Sequence, residues 1–599
     1  LLTPSAMPRS MVGMYIRRTT IKSRRSGEPY FTYRLVESVR EAGRVRQRTV
    51  LNLGRHFDVP REQWPALAQR IEALLGAQSD LFADALDARW EEMAQHYAAQ
   101  IIRSRAGRGD GDRAPKQYHS IDVGALDVVR PRSVAVEHVA LSALRHVGLD
   151  EQLTALGFNG PQRAAAIGTL IGRMAAPGSE LATHQWLQQR SALGELIDFD
   201  FTTLDLMALY RISDRLLAHK PALESFLYER ERDLFDLDEV ITLYDLTNTY
   251  FEGTGHGNAN AAFGKSKEKR SDCPLVTLAL VLDASGFPKR SRVFAGNAAE
   301  AQTLAEMVQV LAPQTRETAP TVVLDAGIAT EENIAWLNEQ GYRYVVVSRR
   351  RHRQFDPDDA CLIKEDGPLT IRAQRVVNDD TGEVELYCHS TQREHKARGI
   401  AERFAQRFEA ELQKLADGLH KPRTVKRYET VFERIGRLKQ KYPRAAQYYE
   451  ITVEQDEAGP NAKAIRWQRI TPVDDTLPGV YCLRSNQTEW DEQTLWQTYV
   501  TLTDLEAVFR SLKSELGLRP VYHHKTDRVS GHLFISVLAY HLVHSIRLQL
   551  KACGIHLSWD GIRRELDGQD RVTVELKRED GRTVHVRKPT RAEPRQQLI

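Results

Sequence analysis

Two short apolar runs in this chain each end on an aspartate, and that repeated arrangement limits the fold more than any other feature. The first run is Val240, Ile241, Leu243 and Tyr244, closed by Asp245 and followed by Thr and Asn residues up to Gly253. The second is Val322, Val323 and Leu324, closed by Asp325 and followed by Ala326 and Gly327. Short runs of apolar, β-branched residues read as buried strands. Thr330 is an N-cap candidate for a helix from Glu331. An acid at the C-terminal tip of a buried strand is exposed on a rigid backbone, which is where open α/β sheets bind their ligands.

A third acid comes from a helix. Between Tyr499 and Lys513, Leu502, Leu505, Val508, Phe509 and Leu512 recur with a helical period. Glu506, Arg510 and Lys513 stand at i, i+4 and i+7, on the opposite face. Taken alone this is an ordinary salt-bridged amphipathic helix. Joined with Asp245 and Asp325, it makes a three-carboxylate set. Three such acids stay close and ionised only with cations between them. Hard divalent ions with oxygen ligands, Mg²⁺ or Mn²⁺, suit that set.

Asp245, Asp325 and Glu506, in this order, resemble the DDE transposases of the IS4 superfamily of bacterial insertion sequences. Tyr499, Glu506 and Lys513 match the spacing of that superfamily's Tyr-Arg-Glu-Lys signature. The Arg position is Leu502, and Arg510, one turn after Glu506, is the substitute. The stretches YDLTNTYFEG, LDAGIATEENI, FRSLKSELGLRPVYH and GHLFISVLAYHL are most similar to the IS1634 group. The resemblance implies an α/β multi-domain protein with an RNase H-like catalytic core and a large insertion before the third carboxylate. It implies a transposase that binds terminal inverted repeats and target double-stranded DNA, as a homodimer in the DNA complex. Two Mg²⁺ or Mn²⁺ ions would sit on Asp245, Asp325 and Glu506 for strand cleavage and strand transfer. Tyr499, Arg510, Lys513, Arg519 and His523 would contact DNA. The alternatives are a catalytically silent, transposase-derived DNA-binding protein and another RNase H-like nuclease. No small-molecule substrate and no membrane role is expected, and the place of action is the bacterial cytoplasm.

The spacing of the acids sets the domain plan. Eighty residues separate Asp245 from Asp325 and 181 separate Asp325 from Glu506, so an insertion is expected at 349–471. The core occupies 236–348 and 472–560. In front stand a basic β-rich unit at 14–58, a helical segment at 59–103, a Gly- and charge-rich linker at 104–118, and a helical, DNA-end-binding unit at 119–235. A C-terminal hairpin and tail fill 561–599. The chain begins with Leu1; Met7, Met11 and Met14 are candidate starts, and 1–13 is expected to lack a fold.

Charge is nearly balanced, 83 Lys and Arg against 80 Asp and Glu, so DNA affinity must come from local patches. The densest patch is the β-rich unit, where Arg17, Arg18, Lys22, Arg24 and Arg25 sit among Tyr15, Tyr30, Phe31 and Tyr33. The five cysteines show no CxxC pair, which excludes the common zinc spacings and points to free thiols. No apolar run is read as reaching the roughly 20 residues that span a bilayer. Trp467 and Trp490 are candidates for stacking on a base, with core packing the commoner fate. His532, His541 and His544, on the apolar stretch that follows Gly531, are of a kind more often packed or hydrogen-bonded than used as ligands.

Overall fold

The structure is a computed structural model that describes residues 11–22, 29–41, 44–54, 57–76, 88–106, 120–235, 237, 241–264, 270–309, 320–350, 353–457, 459–470 and 477–599. Strands β1 (Met11–Lys22), β2 (Pro29–Glu41) and β3 (Arg44–Gly54) form an antiparallel meander. Helices α1 (Trp64–Gly76) and α2 (Ala88–Ala106) pack on it, and Ile16, Leu35, Leu67, Ile71, Ala98 and Ile101 share one core. The sheet and helices expected as separate segments are therefore one unit, because each has a single apolar face and covers the other. β1 begins at Met11, earlier than the expected start at 14, and α2 runs into the expected linker. The rest of that linker, residues 1–10, and Arg24 and Arg25 lie outside the described residues.

Strand β4 (Ile121–Ser133) opens the next region, where only helix was expected. Its Val123, Val128 and Val129 favour extended backbone. Seven helices follow: α3 (Ala135–His146), α4 (Leu149–Ala155), α5 (Gly160–Ala175), α6 (Glu180–Gln189), α7 (Leu193–Leu196), α8 (Leu206–Ala218) and α9 (Lys220–Phe235). The break at Pro177-Gly178 separates α5 from α6, and Ser179 caps α6 by accepting the Ala182 N–H.

The core starts with β5 (Ile241–Tyr250), β6 (Leu275–Asp283) and β7 (Pro288–Ala295), successive antiparallel neighbours. Then come α10 (Leu304–Gln309), β8 (Thr321–Leu324), α11 (Glu331–Glu339) and β9 (Arg343–Val347). β8 pairs parallel with both β5 and β9. Part of the expected insertion then extends this sheet instead of leaving it. β10 (Cys361–Asp366), β11 (Leu369–Val377) and β12 (Val384–Ser390) continue the row, although the first residues past β9 were read as the start of a separate domain. Only α12 (Thr391–Gly418), α13 (Tyr428–Lys441), α14 (Pro443–Ala446), β13 (Tyr449–Gln455) and β14 (Ala462–Arg469) build a core of their own. Trp467 is partly buried against it.

β15 (Val480–Ser485) returns to the sheet between β12 and β9, giving nine strands in the order β10-β11-β12-β15-β9-β8-β5-β6-β7. Helix α15 (Glu492–Arg510) crosses β5, β8 and β9, and Trp490 just before it is partly buried in the main core. Helix α16 (Thr526–Ala552) follows, then α17 (Trp559–Leu566) and the hairpin β16 (Asp570–Arg578) and β17 (Thr583–Pro589). That hairpin is not a separate tail, since β16 also pairs with β4.

α16 corrects one reading. It is long and apolar enough to cross a bilayer, but most of it is buried inside the protein. It packs against α3, α5, α8 and β7. Its histidines are bonded within the protein. His544 Nε2 donates to the Ser285 carbonyl at 2.8 Å, and His541 Nδ1 lies 2.7 Å from the Glu231 carboxylate. His532 Nδ1 accepts from Arg173 at 3.2 Å.

His532 is pushed down to about 3 by burial and by the Arg173 charge. Its ordinary value is 6.5. Below that pH the unfolded chain takes up a proton that the folded chain refuses, so stability falls as pH drops towards 3. The slope from this group approaches about 1.4 kcal/mol per pH unit. Thermal unfolding between pH 7 and pH 4 should therefore show a falling midpoint in the wild type and a shallower fall in His532→Gln. Parallel slopes would contradict the assignment.

Candidate active site

The two aspartates meet through strand register. β5 and β8 run parallel with Leu243 opposite Val323 and Tyr244 opposite Leu324. Asp245 and Asp325 are the next residue on each chain, at neighbouring-strand spacing of about 4.8 Å. Tyr244 and Leu324 belong to the core on one side of the sheet, and Leu243 and Val323 to the core on the other. The latter core contains Val508 and Phe509 of α15. Both aspartates are half-buried.

Asp325 is held by the turn that follows it. Its Oδ1 accepts the Gly327 N–H at 2.8 Å and the Ile328 N–H at 3.2 Å, and its carbonyl accepts the Ala329 N–H at 3.1 Å. Arg349, just past β9, donates to the carbonyls of Ala326 and Gly327. The loop is thus fixed from both sides. Thr330 caps α11 by accepting the Asn333 N–H at 3.2 Å, as expected of an N-cap threonine.

A fourth acid, which sequence reasoning missed, lies beside this loop. A Cβ placed on Gly327 would stand 2.8 Å from Glu300 Oε2 and 3.1 Å from Asp325 Oδ1. Glu300 opens the short 3₁₀ turn Glu300–Thr303 after β7. Thr303 Oγ1 donates to the Glu300 carbonyl at 2.7 Å and lies 2.6 Å from the Tyr244 hydroxyl. Tyr244 is held above the usual phenol range, mainly by burial and also by the charges of Asp245 and Glu300. The available signal was an acid placed at the head of the helix after the hairpin.

Glu506 lies on α15 close to the strands that carry the aspartates; its side chain is outside the described ones. Leu502 is buried in the main core, so a packing residue occupies the signature's Arg position. Tyr499 is also buried, and its hydroxyl accepts from Arg393 of α12 at 3.0 Å. Arg510, the last residue of α15, is exposed. The helix then widens into a π-helical turn, Ser511–Glu515, which takes half-buried Lys513 off the straight i, i+7 row. Arg519 is half-buried beyond it. In the N-terminal sheet Arg17 and Arg18 are exposed, with Arg17 bonded to Gln47 and Arg18 stacked 4.3 Å over Phe31. Lys22 ends β1, and its side chain is not among the described ones.

His523 faces inward, 2.9 Å from Glu180 of α6. Glu180, His523 and His532 bring three potential metal ligands within 4.8 Å of one another. Burial pushes Glu180 up, but the hydrogen bond and charge of His523 outweigh it and hold the acid at about 2. The Arg173 guanidinium already occupies this group, donating to His532 and, at 3.2 Å, to the Gly517 carbonyl. These residues form an ion-pair network that fastens α5 and α6 to the chain beyond α15.

Two family descriptions match the chain. "Transposase DDE domain" covers residues 236–542, just over half of it, and "IS1634 family transposase, N-terminal domain" covers residues 18–85. The chain belongs to the DDE transposase family. It is an insertion-sequence transposase of the IS1634 group, and DNA is its partner. The N-terminal match runs from within β1 through β2, β3 and α1, in keeping with their common core. No curated protein matches the chain. Among solved structures it is similar to the cryo-EM structure of piggyBac transposase in a synaptic complex with hairpin DNA. The identity is 9%, the match covers 75% of this chain and 82% of that one, and the TM-score is 0.28.

The Gly327 contacts give a direct test of the candidate site. Glu300 ends in a flexible side chain that can yield to a methyl group, so Gly327→Ala should fold, with a melting midpoint near that of the wild type. The displaced carboxylates should lower DNA cleavage by roughly a hundredfold. Wild-type cleavage in a folded Gly327→Ala protein would remove this loop from the site.

Proposed function

We propose that Asp245, Asp325 and Glu506 are the catalytic acids of an RNase H-like core that cuts the element's ends and joins them to target DNA. The observation that carries this reading is the parallel β5–β8 register, which sets Asp245 beside Asp325 under the helix that bears Glu506. The order β7-β6-β5-β8-β9, three antiparallel strands and then two parallel additions, supports the RNase H-like assignment.

The family depends on divalent metal, and the donors here suit it. All are carboxylate oxygens, and the missing side chain of Gly327 leaves room beside Asp325. Asp245, Asp325 and Glu506 would hold two ions, Mg²⁺ or Mn²⁺. Bound there, such a pair supplies Lewis-acid stabilisation to an in-line displacement at phosphorus. The chain's own groups set the geometry around it. β5 fixes Asp245 in a sheet, and the N–H groups of Gly327 and Ile328 orient Asp325. Arg510, exposed at the end of α15, and Lys513 on the π turn are placed to hold phosphates near Glu506. Arg17 and Arg18 offer a second, sequence-independent contact with the DNA backbone. Paired ends make the working form a homodimer on DNA.

Asp245→Ala, Asp325→Ala and Glu506→Ala should each lower cleavage of end-bearing DNA by roughly a thousandfold or more, since a lost metal ligand forfeits several kcal/mol. Binding of the same DNA should stay near the wild-type level. A gel assay separating bound from cleaved DNA measures both, and wild-type cleavage in any one variant would take that acid out of the site.

A further inference from the structure

We infer that Glu300 is a fourth carboxylate of the metal site, holding a divalent ion jointly with Asp325. This rests on the reading of Asp325 as a metal-holding acid and adds a residue to it from a different element.

Three observations lead to Glu300. Its Oε2 and Asp325 Oδ1 flank the bare Cα of Gly327, within about 6 Å of each other, a span that one ion or a pair about 4 Å apart can bridge. Two ionised acids at that distance repel unless a cation lies between them. Among the described residues neither makes an ion pair, and the nearby Arg349 guanidinium is turned onto the Ala326 and Gly327 carbonyls instead.

The second observation is how firmly Glu300 is held. Thr303 binds the Glu300 carbonyl and the Tyr244 hydroxyl through one oxygen, tying the Glu300 turn to the strand residue next to Asp245. The third is the empty position at Gly327. Any side chain there would enter the space between the two carboxylates. Glu306, farther along and paired with Arg292, shares the local charge but faces another partner, which makes it the control.

The experiment is Mn²⁺ binding to the full-length protein without DNA, read from the electron paramagnetic resonance signal of free Mn²⁺. Glu300→Gln should bind Mn²⁺ at least tenfold more weakly or lose one ion, Asp325→Asn should do the same, and Glu306→Gln should match the wild type. Wild-type binding by Glu300→Gln alongside a loss in Asp325→Asn overturns the role of Glu300 and leaves the Asp325 reading standing. Wild-type binding by both overturns the metal site itself, and Glu300 with it. Should Glu300→Gln fail to fold by its melting curve, Glu300→Asp decides the matter. It keeps the charge but draws the oxygens back by one carbon, so weakened binding supports the role and wild-type binding overturns it.

Discussion

The parallel pairing of β5 with β8 is the constraint on which the rest of this transposase depends. Leu243 and Tyr244 are opposite Val323 and Leu324, so Asp245, in the middle of β5, and Asp325, just past the end of β8, come side by side. A slip of one residue would turn every side chain of a strand to the other face and part the acids. Cores on both faces prevent that slip. Tyr244, Val322 and Leu324 are buried on the side of α10 and α11, while Leu243 and Val323 are buried on the side of α15 and α16. The proposed site is therefore set by the packing of apolar neighbours rather than by the acids, whose mutual repulsion works against it.

α16 performs the matching task for the helical region. It is buried along most of its length and contacts α3, α5 and α8 on one side and β7 on the other. Polar groups fix its rotation inside this apolar setting: His541 against Glu231, His544 against Ser285, His532 against Arg173. Losing one partner of such a buried pair strands the other in a poor solvent. The helical region is consequently locked to the nine-stranded sheet through α16.

Much of this was legible in the sequence. The run tipped by Asp325, the hairpin around Gly286, the break at Pro177-Gly178 and the caps at Ser179 and Thr330 are local features, carried by a few adjacent residues, whereas Asp245 does not end its strand as read, because β5 runs on to Tyr250 in continuous pairing with β6. What escaped depends on distant partners. β12 looks like a strand from Val384 to Ser390, yet nothing in those residues says that β15, some ninety positions on, will join it to the core sheet. Tyr499 fits a signature for DNA contact, but Arg393 claims its hydroxyl from the far side of the insertion. The helical period predicted Lys513 in line with Glu506, and a π turn interrupted it. Glu300 offered only a weak signal, an acid at the head of a helix among alanines, and its place beside Asp325 follows from folding that lays it against Gly327.

The account's central claim is that Asp245, Asp325 and Glu506 surround a shared pair of metal ions. Iron-mediated backbone cleavage tests it directly. Fe²⁺ bound in place of Mg²⁺, with ascorbate and peroxide, cuts the chain wherever the backbone lies near the ion. The account predicts fragments ending near residues 245, 325 and 506, suppressed together by excess Mg²⁺. Cuts that omit the neighbourhood of Glu506, or that cluster around Glu180 and His523 instead, would contradict it.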